Sequence, residues 1–218
     1  MAVRRSRTLR LPKLIAAVPA ACAVTLAVSA PPAAARARIV PPPGFDGGFE
    51  APVVPSTGTF VRYGKGDMGP WKVTAGDVDL GGAGFWQHAE GHQSLDLEGG
   101  VPGTVKQSFP TVFAACYTVG YALAGNVDGK PAVKTGHVQI AQRMPGGFPL
   151  KPRQRPFSFD TTGRTRADMG YVRQSFNFRS LSSSATLSFT STTGSGYGPV
   201  IDDVRVTPAP RSLCKGRH

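Results

Sequence analysis

Between residues 91 and 126 the chain alternates apolar and polar positions in three short runs. Leu95 and Leu97 alternate with polar neighbours in 94–97. Val105, Gln107 and Phe109 share one parity in 104–109, and Tyr117, Val119, Tyr121 and Leu123 share one in 116–123. A period of two places one face of a strand in a core and the other in water. The breaks fall at Glu98-Gly99-Gly100, Pro102-Gly103 and Pro110-Thr111, all turn chemistry. The block predicts the central meander of an antiparallel sandwich.

The same reading predicts further strands at 59–64, 71–80 (with a kink at Ala75-Gly76), 133–142, 157–160, 171–178, 186–190 and 200–206. Loops are expected at 64–70, at the glycine-rich stretch 81–91, and at 144–155, which carries Lys151, Arg153 and Arg155. Asn126 to Gly129 reads as a turn, with Asn126 as its capping residue. No long amphipathic helix pattern and no internal repeat is present. The fold class is all-β, an antiparallel β-sandwich of about nine or ten strands by its count of alternating runs.

The motifs within this pattern resemble a known family. W-x-V-T-x-G-x-V-D-L from Trp71, F-W-Q from Phe85, G-x-Q-S-L-D-L-x-G from Gly91 and Y-T-V-x-Y-x-L-A-G-N from Tyr117 carry the resemblance. So do F-x-F-D-T-T-G from Phe157, M-G-Y-x-x-x-S-F-x-F from Met169 and Y-G-P-V-I-D-D-V-R-V from Tyr197. Together they resemble the secreted bacterial choice-of-anchor C family, related to the plant cell-wall domain-of-unknown-function-642 proteins. The resemblance covers about 45 to 206 and implies a galactose-binding-like jelly roll. It also implies an opening strand at 45–51 containing Phe49-Glu50, and association with wall polysaccharide. Fold alone does not fix an activity.

Residues 1–37 read as a secretory signal: Arg4, Arg5, Arg7, Arg10 and Lys13 precede an Ala-rich apolar run with small-residue cleavage options. A Pro-rich lead (38–44), a sandwich (45–207) and a basic tail (208–218) complete the expected organisation. Charge looks different once the signal is set aside. Seven of the 25 basic residues lie in 1–38 and all 13 acids lie beyond it, which leaves +5 for the remainder. That balance calls for no nucleic-acid partner, and no nucleic-acid motif is present. The tail carries no sorting motif or hydrophobic anchor, so the expectation is a released, extracellular monomer with no membrane anchor in the mature chain. With Cys22 in the signal, Cys116 and Cys214 remain; a disulfide between them is one reading, two free or intermolecular thiols the other.

The chain offers little catalytic chemistry. His92, Ser94 and Asp96 fall on one face of a strand, about 6.6 Å apart in successive steps, too far for a hydrogen-bonded triad. No G-x-S-x-G elbow occurs. His88 and His92 flank Glu90 in a glycine-rich loop, not in the order of a helical zinc site. The resemblance to carbohydrate-binding modules implies a structural Ca²⁺ shared by Glu50 and Asp202, with Asp203 the alternative to Asp202. For a glycan, aromatic faces beside polar groups are needed. Trp86, Phe85, Tyr197 and Tyr63 lie in or next to loops and are the candidate platforms, while Trp71 reads as core. The expected function is a non-catalytic module binding carbohydrate or cell-wall polysaccharide, with no cofactor required. The alternative is an extracellular structural or protein-interaction domain with no glycan site.

Overall fold

A computed structural model describes residues 42, 44–144 and 146–214. The expected signal segment, most of the Pro-rich lead and the last four residues of the tail lie outside the described residues. Twelve strands form two antiparallel six-stranded sheets. The first sheet runs in the order β1 (Phe60–Tyr63), β4 (Val78–Gly81), β5 (Ser94–Asp96), β12 (Pro199–Ala209), β7 (Cys116–Gly125) and β10 (Val172–Arg179). The second runs β2 (Gly66–Met68), β3 (Trp71–Ala75), β6 (Thr104–Pro110), β11 (Ser184–Ser191), β8 (Val133–Gln142) and β9 (Arg153–Asp160). A short 3₁₀ turn, Arg211–Cys214, closes the chain.

The second sheet behaves as the alternation predicts. In β6, β8 and β11 buried and wet residues alternate, and the wet face is Ser- and Thr-rich, with cross-strand pairs such as Ser108 to Thr186 at 2.8 Å. The first sheet departs from it. Strands β4 and β5 are buried at every position, as is β12 from Pro199 to Val204. Their outward residues Asp79, Ser94, Asp96 and Asp202 are polar yet buried, so loops must cover that face.

Three local corrections have clear causes. The run 71–80 divides at Gly76 (φ +57) into strands of different sheets; a Cβ there would sit 1.9 Å from the Pro102 carbonyl oxygen. The stretch 45–51 forms no strand: Phe49 takes φ +57, and the segment packs on β12 through the Val204 amide bonded to the Gly47 carbonyl at 2.8 Å. Arg153 and Arg155 lie on β9, not in a loop.

Between the sheets lies one apolar cluster. Trp71 is in it, as expected, stacked on Phe49 at 5.1 Å and near Phe189 at 6.2 Å, with its indole N–H donating to the Asp46 carbonyl at 2.6 Å. Tyr121 meets Phe189 edge-on at 5.1 Å, and Tyr117 stacks on Phe178 at 5.5 Å. Rings this close add to the burial they provide.

Cys116 and Cys214 form a disulfide that closes a loop of 98 residues and fixes the 3₁₀ turn to the start of β7. A cross-link over a loop of that length removes about 4–5 kcal/mol of unfolded-state entropy in the chain-entropy model. Cys214→Ser is expected to lower the unfolding free energy by that order in chemical denaturation, and reductant should do the same to the unmodified protein. Identical midpoints with and without reductant would contradict the assignment.

Candidate functional site

The outward face of the first sheet is sealed by loops, and buried carboxylates hold those loops by their backbone amides. Glu98 accepts the Ser191 hydroxyl (2.6 Å) and the amides of Gly194 (2.7 Å), Ser195 (2.9 Å) and Gly196 (3.0 Å). Burial alone would raise its pKa; the hydroxyl and the three amides outweigh that and hold it below the usual range. Asp96 accepts the amides of Glu98 (2.9 Å) and Gly198 (3.0 Å) and the side-chain amide of Asn126 (2.7 Å). Asp96 is fully buried beside Asp79, and its pKa lies well above the usual range, burial being the main cause. Asn126 also accepts the Asp128 amide at 2.9 Å, so it caps its turn as the sequence indicates. Arg62 neutralises Asp79 with a two-point ion pair at 2.8 and 2.9 Å.

A second pair of carboxylates fixes the loop between β4 and β5. Asp202 Oδ2 accepts the amides of Ala89 (2.7 Å) and Glu90 (2.9 Å), and Glu50 Oε1 accepts those of His92 (2.7 Å) and Gln93 (3.0 Å). A bulge in β12 separates the adjacent acids: Asp203 adopts φ +46 and pairs with Arg173 and, at 2.7 Å, with Arg205. Asp tolerates this left-handed conformation better than most residues. The loop's own side chains form a closed chain of bonds. The Trp86 indole N–H donates to Ser94 Oγ (2.7 Å), and His88 Nδ1 lies 3.0 Å from the same oxygen. His88 Nε2 lies 3.2 Å from the Gly82 carbonyl, an acceptor only, so Nε2 carries the hydrogen and Ser94 donates to Nδ1. Burial pushes the His88 pKa down, consistent with this neutral ring.

These contacts decide what the expected site residues can do. Trp86 is 5% exposed and anchors its loop from beneath, so it offers no face to a sugar. Phe85 is covered by Phe60 at 5.4 Å, Trp86 at 4.7 Å and the Arg166 guanidinium at 4.6 Å. Tyr63 packs against the core from β1. Tyr197 is 40% exposed, with its ring against Gly129. The structure does not gather the four into one platform. His92, Ser94 and Asp96 likewise serve three separate networks.

The donors expected for calcium fare similarly. Glu50 Oε1 and both oxygens of Asp202 are taken by N–H groups, Asp202 Oδ1 by the Asp203 amide at 2.6 Å, and Asp203 is held by arginines. Among the described residues no three His, Cys, Asp or Glu side chains are grouped to hold a metal ion. As placed, this set does not fit an ion that takes six to eight oxygens.

What the two loops do enclose is a crevice of about 580 Å³ between residues 87–89 and the β9–β10 connection. Gln87, His88, Arg164, Asp168, Tyr171 and Arg173 line it. The Gln87 amide donates to the Arg166 carbonyl (2.7 Å) and its side-chain oxygen accepts the Met169 amide (2.8 Å), joining the two walls. Gly170 has φ +64, and a Cβ there would lie 2.4 Å from Arg164 Cζ; its absence lets the guanidinium lie against the backbone. Arg164 also faces Asp168 at 3.5 Å. The buried Tyr171 hydroxyl faces Ser94 Oγ, whose second lone pair is free to accept from it, though no hydrogen bond of good geometry is formed. Met169-Gly170-Tyr171 stood out in the sequence as the opening of a family-like motif, with a strand expected from Tyr171; nothing local marked it as a wall.

Asp202 supplies a test of this arrangement. Burial, against three amide donors, raises its pKa to about 7. The folded state therefore binds more protons than the unfolded state between about pH 4 and 7, and this carboxyl's contribution to stability falls as pH rises through that window. Asp202→Asn removes the titration. The stability of the unmodified protein relative to the variant should increase steadily from pH 7.5 to pH 4.5 in thermal melts, and a gap independent of pH would contradict the assignment.

Comparisons with known proteins place these features in context. No curated protein matches the chain significantly in sequence. Among solved structures, it is similar to TmCBM61 in complex with β-1,4-galactotriose (TM-score 0.46, 16% identity, 66% of this chain and 92% of that one). It is also similar to the CBM22-1 xylan-binding domain of Paenibacillus barcinonensis Xyn10C (0.47, 15%, 75% and 100%) and to a family 35 carbohydrate-binding module from Clostridium thermocellum (0.39, 15%, 69% and 92%). The family model described as a protein of unknown function, DUF642, matches residues 45–207. That match spans most of the chain, and the protein belongs to the DUF642 family.

Proposed function

We propose that the chain is an extracellular, non-catalytic carbohydrate-binding module of the choice-of-anchor C branch, exported by residues 1–37, and that the crevice beside Tyr171 is its ligand seat. The observation that carries the reading is the wall chemistry. The guanidinium groups of Arg164 and Arg173, the Asp168 carboxylate, the Gln87 side-chain amide and the Tyr171 ring line one open cavity of about 580 Å³. Sugars present hydroxyls that both donate and accept, and C–H faces that rest on rings, so this mixture suits them. The carboxylates that hold the loops by their amides keep the walls in place before a ligand arrives, which lowers the entropic cost of binding.

Two further observations support the rest of the reading. The Cys116–Cys214 disulfide suits an oxidising, extracellular setting. Ser94 and His88 form a hydroxyl–imidazole pair, but Ser94 is fully buried and receives the Trp86 N–H, and the other ring nitrogen is bonded to a carbonyl instead of a carboxylate. A nucleophile needs access to its substrate as well as a base, and Ser94 has none.

A glycan array, followed by retention on insoluble cellulose, chitin, pectin and peptidoglycan, tests the proposal. Arg164→Ala is expected to weaken binding about tenfold, the order of a lost charge-assisted hydrogen bond, with little change in melting temperature. Tyr197→Ala, outside the crevice, should leave binding unchanged. Retention on none of these polymers would favour the protein-interaction domain instead.

A further inference from the structure

The end of the sandwich where β6 meets β7, β8 meets β9 and β10 meets β11 has a composition unlike the rest of the surface. Each of the three loops raises apolar side chains into solvent: Val112 and Phe113 on the first, Met144 and Phe148 on the second, Leu181 on the third. Phe113 is 66% and Phe148 70% exposed. A fourth segment joins them, since the disulfide to Cys116 fixes the turn bearing exposed Leu213 at the same end. Isolated exposed apolar residues are ordinary, but a group gathered at one tip marks a contact surface.

The loops bearing them are tied together beneath. Thr111, Gln142 and Ser180 are buried and bonded to one another: Ser180 Oγ lies 2.8 Å from Thr111 Oγ1 and 3.3 Å from Gln142 Oε1. Gln142 Oε1 also accepts the Leu181 amide at 2.7 Å, the Ala114 amide donates to the Ser180 carbonyl at 2.8 Å, and the Leu150 amide to the Gln142 carbonyl at 3.0 Å. The protein thus spends buried polar contacts on holding apolar side chains out in water.

Charge decides between the surfaces that could cover this tip. Residues 110–116, 143–155, 179–184 and 208–214 contain no Asp or Glu; all 13 acids lie elsewhere in the chain. The same segments carry exposed Arg143, Lys151, Arg179 and Arg211. Beside Leu213 opens a cleft of about 420 Å³ between β9 and β10, lined by Arg155, Gln174 and Asn177 and also free of acids. Rigid apolar tips within a purely basic rim complement a layer that is anionic at its surface and apolar beneath. Such a layer is a bilayer bearing anionic headgroups, which side chains of this kind enter to the depth of the acyl boundary.

We propose that this end of the sandwich docks on anionic lipid bilayers, with Phe113 and Phe148 inserting and the basic rim facing headgroup phosphates. The surface is separate from the crevice and independent of its ligand. The test uses the full chain carrying Phe113→Trp or Phe148→Trp, mixed with vesicles of equal parts phosphatidylglycerol and phosphatidylcholine containing brominated acyl chains. Native Trp71 and Trp86 are buried, so the introduced indole reports its own position. Both variants should show blue-shifted, quenched emission, while Tyr197→Trp should not. Affinity should fall with salt and about fivefold for each of Arg143→Gln and Lys151→Gln. No quenching at 113 and 148, or equal quenching at 197 (attachment through another segment, such as 1–37), would overturn the proposal. So would a dimer, seen in sedimentation without lipid, that Phe113→Ser and Phe148→Ser dissociate; the tip would then be a contact between copies.

Discussion

A carboxylate oxygen accepting backbone amides from a loop far away in sequence is the contact on which this structure depends. Glu98 gathers the amides of residues 194–196, Asp96 that of 198, Asp202 those of 89 and 90, and Glu50 those of 92 and 93. Each bond satisfies an amide that no strand partner could reach, and an unmade bond of this kind is costly once buried. The charge is not left isolated. Lys134, fully buried on β8, donates to the Gly129 carbonyl at 2.7 Å; burial pulls its pKa down, against the attraction of Asp96 and Glu98. Arg62 answers Asp79, and Arg173 and Arg205 answer Asp203.

This arrangement explains why the two sheets differ. The second sheet keeps one wet face, and its alternation follows the ordinary rule for antiparallel strands. In the first, β4, β5 and the first half of β12 are covered on both faces, so their acids are buried and the covering loops become the working surface. The crevice sits among those loops, with charges of both signs on its walls. The opposite tip has positive charge alone, exposed apolar side chains and a separate network of hydroxyls and amides. Two ends with such different chemistry can meet different materials without competing.

Much of the fold was legible because period-two alternation is strong wherever one face is wet, as in β6, β8 and β11. The strands hardest to place were those buried on both sides. In β4 and β5, Asp79, Ser94 and Asp96 read as a wet face because nothing local reveals the loop above them. The expected opening strand failed because Phe49 and the 45–54 segment follow the β12 bulge instead of joining a ladder. The pairing of Cys116 with Cys214 could be read from cysteine number; its role in fixing Leu213 at the tip could not. The aromatic platforms misled for one reason: loop position does not set burial. Trp86 and Phe85 are inside their loop, held there by Ser94 and Arg166, whereas Tyr171 lines a cavity built from two distant segments.

Residue-resolved hydrogen exchange in the Glu98→Gln variant tests the central claim most directly. The substitution keeps shape and turns one acceptor oxygen into a donor facing other donors. If amide-to-carboxylate bonds hold the loops, Gly194, Ser195 and Gly196 should exchange about ten- to a hundredfold faster than in the unmodified protein, while Ala89 and Glu90, bound to Asp202, keep their protection. Unchanged protection at 194–196, or one uniform acceleration across the chain, would contradict it.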